Sequence, residues 1–171
     1  MDLALYSTIW VSLALFTVAE AGKRQWSEHR TVPAWAWPAW VLGAGLCTVH
    51  ITLAFAARHH WSHASAVRET ARQTGAVYGV DWGGGVYVNY VFLAAWWVEA
   101  WWWRMRPAGF FGRPAALTWA LRAFYGAIVV NAAIVFANVE RRALGAALVG
   151  ALVWAWRPTR AAAARSRVGS H

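Results

Sequence analysis

PAWAWPAWVLGAGLCTVHITLAFAA, residues 33–57, is the stretch whose reading decides the fold. It holds no Asp, Glu, Lys or Arg over 25 residues. As a helix it reaches about 38 Å, more than the ~30 Å hydrocarbon layer of a bilayer. A soluble domain has no core deep enough to hide it. Working outward, four more apolar runs appear at residues 3–21, 83–103, 115–139 and 143–156. The run at 3–21 reads as a span and not a signal sequence, because no basic segment precedes it and Asp2 is acidic. The last run is short, about 21 Å as a helix, so it must thin the bilayer, end on snorkelling Arg142 and Arg157, or re-enter. The pattern predicts an all-α polytopic membrane helix bundle of five transmembrane helices, with four as the alternative. Residues 1–158 form one transmembrane domain, and 159–171 read as a basic, disordered cytoplasmic tail. Arg58 to Thr74 contains no Gly or Pro, which predicts that the second helix extends beyond the membrane on the outer side.

Composition agrees. The 171-residue chain is 60% hydrophobic yet carries a formal net charge of +9. A nucleic-acid binder of this charge would be far richer in charged residues than 13%, so the basic excess reads as topology and no nucleic-acid partner is expected. The single cysteine, Cys47, excludes an intrachain disulfide and a Cys-based zinc or iron–sulfur site. Abundant Ala, Gly, Trp and Arg suggest a GC-rich, bacterial source.

With five spans and the N-terminus outside, eleven of the sixteen Lys and Arg fall on the inner side, as the positive-inside tendency requires. The expected location is thus the bacterial inner membrane, with a cytoplasmic C-terminus. Twelve of the fifteen Trp then lie at or near the inner interface, where an indole ring is buried and its N–H stays wet. A thick inner aromatic belt accounts for them; a Trp-rich docking face for a partner is the other reading.

Four of the six histidines, His50, His59, His60 and His63, fall within fourteen residues. His50 lies about 26 Å above the inner surface, Asn89 about 9 Å below the outer one and Asn131 about 24 Å up the fourth span. These three form an outer-leaflet buried polar layer, which must face inward because unpaired imidazoles and amides are costly in lipid. On a continuous helix, His59 or His60 with His63 meets the i, i+4 or i, i+3 spacing of a metal pair, with Glu140 or Asp81 as the carboxylate. Solvated, hydrogen-bonded histidines are the plainer reading. Haem or a transition metal is the cofactor to look for, although no second span supplies an opposing histidine.

Nearer the inner side, Glu20, Glu99 and Arg122 share a depth and suggest an intramembrane ion pair, against separate snorkelling to headgroups. Ala143, Ala147, Ala151 and Ala155 form an i+4 stripe, a surface that another helix approaches closely in lipid, whether from this bundle, a second copy or another subunit. No nucleophile–base pair, paired-carboxylate site, nucleotide motif or thiol chemistry stands out, which leans against an enzyme. Three functions follow. The first is a non-catalytic accessory subunit or assembly factor of a larger bacterial membrane complex. The second is a redox or metal/haem-handling protein using the outer His/Asn layer. The third, a small transporter, has less support, since no inverted repeat is visible.

Overall fold

The computed structural model describes residues 2–159, with the side chains of Asp2 and Ser27 excepted. The tail predicted to be disordered therefore lies outside the described residues from Arg160 onward; Thr159 is buried. Among the described residues there are seven α-helices and no strand: α1 Asp2–His29, α2 Ala36–Arg58, α3 His63–Tyr78, α4 Gly85–Met105, α5 Pro107–Phe111, α6 Ala115–Val130 and α7 Val139–Trp156. A π turn, Asn131–Val135, continues α6. The segments Leu3–Trp26, Ala36–Arg58 and Ala115–Val135 are long and apolar enough to cross a membrane. α4, with Glu99, Arg104 and five tryptophans, and α7, which opens on Glu140, Arg141 and Arg142, are not among them.

Several boundaries differ from those expected. α1 runs on to His29, because nothing after Gly22 breaks it and Arg24 pairs with Glu28 one turn on. α7 starts at Val139, so its 18 residues reach about 27 Å and no longer fall far short of a bilayer. The expected outer extension of α2 does not form. α2 stops at Arg58, and His60 and Trp61 adopt left-handed backbone, with φ of 47° and 61°. That pair turns the chain, with the Trp61 amide donating back to the Phe55 carbonyl. Ser62 then caps a separate α3 by accepting from the Ser65 amide.

The five long helices close a ring in the order α1, α2, α4, α6, α7 and back to α1. Neighbours are antiparallel except α1 and α7, an odd ring's one parallel pair: Tyr6 meets Arg141 near their starts, and Arg24 meets Trp154 near their ends. Phe16 sits at the centre, its ring 4.9 Å from Trp40, 5.0 Å from Trp96 and 5.5 Å from Tyr125. Thus α1 packs by one aromatic residue against α2, α4 and α6 at once. Gly43 lets α2 close on α4, since a Cβ there would stand 2.8 Å from the Trp96 ring.

Tryptophan does two jobs. Trp40, Trp96 and Trp103 are buried in the core, whereas Trp35, Trp97, Trp101, Trp119 and Trp154 are exposed around the bundle. A single interfacial belt therefore describes only part of the set.

Candidate functional site

The ring has two unlike ends. At the α5 end, charged side chains are buried and paired. Glu20 lies one helical turn before Lys23, the chain's single lysine, and its Oε1 is 2.7 Å from the ammonium; its Oε2 accepts from the Trp156 indole at 2.8 Å. The Lys23 ammonium also sits 3.0 Å over the Trp40 ring, with Trp103 and Phe110 at 5.4 and 5.3 Å. Glu99, from α4, pairs with Arg113 in the turn before α6, and that guanidinium rests 4.6 Å from the Phe110 ring.

The expected association of Glu20, Glu99 and Arg122 is therefore redrawn. Both carboxylates are buried and paired, but their partners are Lys23 and Arg113. Arg122 stacks on Trp119 and Trp156, 5.2 and 5.9 Å from the ring centres, and acts on the acids only through space. Lys23 was missed because α1 was ended at residue 21; its i+3 spacing from Glu20 was visible in the sequence. Arg113 comes from a loop, and no local spacing points to it.

At the α3 end the polar residues surround open space. Two adjoining chambers, of about 220 and 730 Å³, lie beneath α3 between α2, α4 and α6. His50 and Asn89 border both chambers, and Asn131 borders the larger one. The three members of the expected buried polar layer thus border adjoining chambers, but the layer is not buried: Asn89 is exposed, His50 and Asn131 are half-buried, and none bonds to another. His50 Nδ1 lies 3.0 Å from the Leu5 carbonyl and 3.4 Å from the Thr8 hydroxyl, both on α1. The Asn131 amide oxygen accepts from the Tyr78 hydroxyl at 2.5 Å, and its amide nitrogen donates to the Ala127 carbonyl at 2.8 Å. Tyr78, on the last turn of α3, had not been picked out. The π turn begins at Asn131 and places Ala132 on both chambers, a local widening of the kind that recurs at functional sites.

The remaining histidines part company. His59, the residue after α2, borders the smaller chamber, and its buried Nδ1 has no hydrogen-bond partner among the described residues. His60 is exposed on the left-handed turn. His63 opens α3 and stacks among Tyr87, Tyr90 and Phe55, at 5.4, 6.0 and 6.4 Å. Glu140 is exposed at the start of α7. The proposed metal set His59, His60, His63 and Glu140 needed a continuous helix, and the turn at His60 removes it. Among the described residues no three His, Cys, Asp or Glu are grouped to hold a metal ion.

The alanine stripe divides as well. Ala143, Ala147 and Ala151 face outward, and Ala155 is buried. The bundle's own contact with α7 is made instead through Gly145, Leu152 and Ala155.

Compared with known proteins, the chain matches no family model, no curated protein and no solved structure.

Proposed function

We propose that the chain is a five-span protein of a bacterial inner membrane, N-terminus outside, whose working part is the α3-end cavity. Its function is to bind a small, mainly apolar molecule drawn from the lipid phase. The observation that carries this reading is the convergence of His50, Asn89 and Asn131 on two adjoining chambers, the smaller walled mainly by apolar side chains and the larger also by Thr70, Gln73, Thr74 and Tyr78. Concave apolar space with a few aimed polar groups is the usual form of a small-molecule site. Five spans are supported by the ring itself: α4 and α7 run the same course between the two ends as the three apolar helices, and at about 32 and 27 Å they are long enough. α3 then lies at the outer surface, with Trp61 and Trp82 exposed at its flanks.

The test uses 2-methoxynaphthalene as a neutral aromatic probe and purified protein in lipid nanodiscs. Equilibrium dialysis should show saturable uptake near one probe per chain above that of empty nanodiscs. Ala132→Trp and Ala54→Phe, each filling the cavity, should remove it while the helical melting transition persists. Uptake that never saturates, or that both variants leave intact, would count against the site.

A second reading, the accessory subunit, draws on the outward-facing Ala143, Ala147 and Ala151 beside exposed Trp154. Their face is free for a close helix partner in lipid, another subunit or a second copy. Ala147→Cys tests it: disulfide-linked species or a captured neighbouring subunit in native membranes supports an interface, and a monomer alone removes it.

A further inference from the structure

The cavity's ligand can be described chemically from one imidazole. His50 makes its hydrogen bonds through Nδ1, and both neighbours of that atom can only accept from it. The Leu5 carbonyl has no proton to give. The Thr8 hydroxyl spends its proton on the Ala4 or Leu5 carbonyl, at 2.8 and 3.0 Å, and turns a lone pair toward the ring. Nδ1 therefore carries the ring proton, and Nε2 of the neutral imidazole is a bare acceptor. A ring whose protonated nitrogen is held by a backbone carbonyl is fixed in both orientation and tautomer, so the other nitrogen is preorganised for whatever it meets. His50 borders both chambers, and Nε2, which has no hydrogen-bond partner among the described residues, is its ring nitrogen left for a ligand there.

The walls narrow the choice further. Neither chamber is lined by Asp, Glu, Lys or Arg. A charged ligand would find no counter-ion there, and desolvating it would be costly. The donor that meets Nε2 is thus part of a neutral molecule. Phe55, Tyr90 and Phe92 wall the smaller chamber, offering aromatic faces and edges to a planar body.

We infer that the ligand is a lipid-soluble phenol, its hydroxyl donating to His50 Nε2 and its ring lying among Phe55, Tyr90 and Phe92. This rests on the reading of the cavity as a ligand site, and goes beyond it in naming the group that is recognised. His50 is here a specificity determinant. A site built to pair a hydroxyl discriminates against the same molecule without it, because the buried acceptor is then left unmet.

The test compares two probes of one shape, 2-naphthol and 2-methoxynaphthalene, on the intact protein in nanodiscs at neutral pH, each corrected for partition into empty nanodiscs. The naphthol should bind about tenfold more tightly, the worth of one hydrogen bond to a buried acceptor. His50→Leu should bring that ratio close to one while the ether still binds. His50→Gln, whose amide oxygen reaches toward the place of Nε2, should keep most of it. Equal affinity of the two probes in the unaltered protein overturns the inference and leaves the cavity reading standing. A preference unchanged in His50→Leu also overturns it, since the hydroxyl is then read elsewhere. Saturable binding of neither probe removes both.

Discussion

The α5 end and the α3 end of this ring solve the same problem in opposite ways. Both bring polar groups into a bundle that has little water to offer them. At the α5 end every buried charge is met by a countercharge, and aromatic rings fill the remaining space: Lys23 on Glu20 and Trp40, Arg113 on Glu99 and Phe110. At the α3 end the groups are neutral, few of them pair with one another, and room is left between them. The contrast teaches where stability and function are lodged. Charge met by countercharge ties helices together, and of the two carboxylates only Glu99 keeps an oxygen, Oε2, without a hydrogen-bond partner among the described residues. Of the polar groups beside the cavity, Asn131 is held by Tyr78 and Ala127, whereas His50 spends only Nδ1 on the protein and keeps its other ring nitrogen for a ligand.

The largest effect should follow from breaking a pair at the α5 end. Arg113→Ala strands the Glu99 carboxylate in the core, and removing one partner of a buried pair costs about 3–5 kcal/mol. Adding Glu99→Leu should recover most of the loss, because the uncompensated charge goes with it. Arg122→Ala, which removes ring contacts with Trp119 and Trp156 and a through-space attraction to Glu20 but no direct ion pair, should cost only about 1 kcal/mol. Denaturant unfolding in mild detergent measures all three. An Arg122 loss as large as that of Arg113 would mean that the through-space neighbour, and not the contacting one, holds the acids.

Glycine substitutions sharpen the comparison by sign. A Cβ on Gly22, where α1 meets α2 at the α5 end, would stand 2.6 Å from the Ala36 Cβ. Gly22→Ala should therefore destabilise by about 1–3 kcal/mol through overpacking. At Gly45 and Gly150 an added Cβ meets nothing within 4 Å. There the same change should be neutral or gain up to about 1 kcal/mol from helix propensity. A gain at Gly22 would show that the helices approach less closely than the core packing implies.

His50 should matter little to the fold. His50→Ala gives up its bond to the Leu5 carbonyl, worth about 1 kcal/mol, and opens space beside a cavity already present. Its melting temperature should therefore stay far above that of Arg113→Ala, while probe binding is altered. If His50→Ala unfolds the protein as readily as Arg113→Ala, the division between the two ends does not hold.

Much of this was legible in advance, and the reasons for the gaps are physical. Long uncharged runs such as residues 33–57 declare helices by length alone, so the all-helical architecture could be read directly. Depth placed His50, Asn89 and Asn131 in one layer, since antiparallel helices bring equal depths side by side, but depth says nothing of burial, and Asn89 is exposed. The break at His60–Trp61 could not be read, because neither residue is a glycine and the left-handed turn is imposed by how α3 packs back over the bundle. The partners of the buried acids were missed for two different reasons. Lys23 was hidden by ending α1 too early, and Arg113 is joined to Glu99 only by the fold. The outward direction of Ala143, Ala147 and Ala151 depended on which side of α7 the ring would use.

The smallest effect lies on α3 itself, where charge is solvated instead of buried. Glu69 accepts from Arg72 at 2.6 and 2.9 Å and from Gln73 at 2.9 Å. These bonds, with the Arg72 bonds the leading cause, hold its carboxyl well below its ordinary 4.5, to about 2. A depressed folded-state value means that the stabilisation is complete above the ordinary value and is lost as pH falls from about 4.5 toward about 2. Glu69 is solvent-exposed, so the benefit to stability is small and salt weakens it. Carboxyl-carbon NMR of Glu69 checks the argument directly. The midpoint should fall near 2 in the unaltered protein and move toward 4.5 in Arg72→Ala. Titration should leave the signals of Trp40 and Trp103 unchanged, because nothing on α3 touches the α5 end. A midpoint near 4.5 in the unaltered protein would show that the pair is not held in solution. Linked shifts at Trp40 would instead show that the two ends of the ring are coupled.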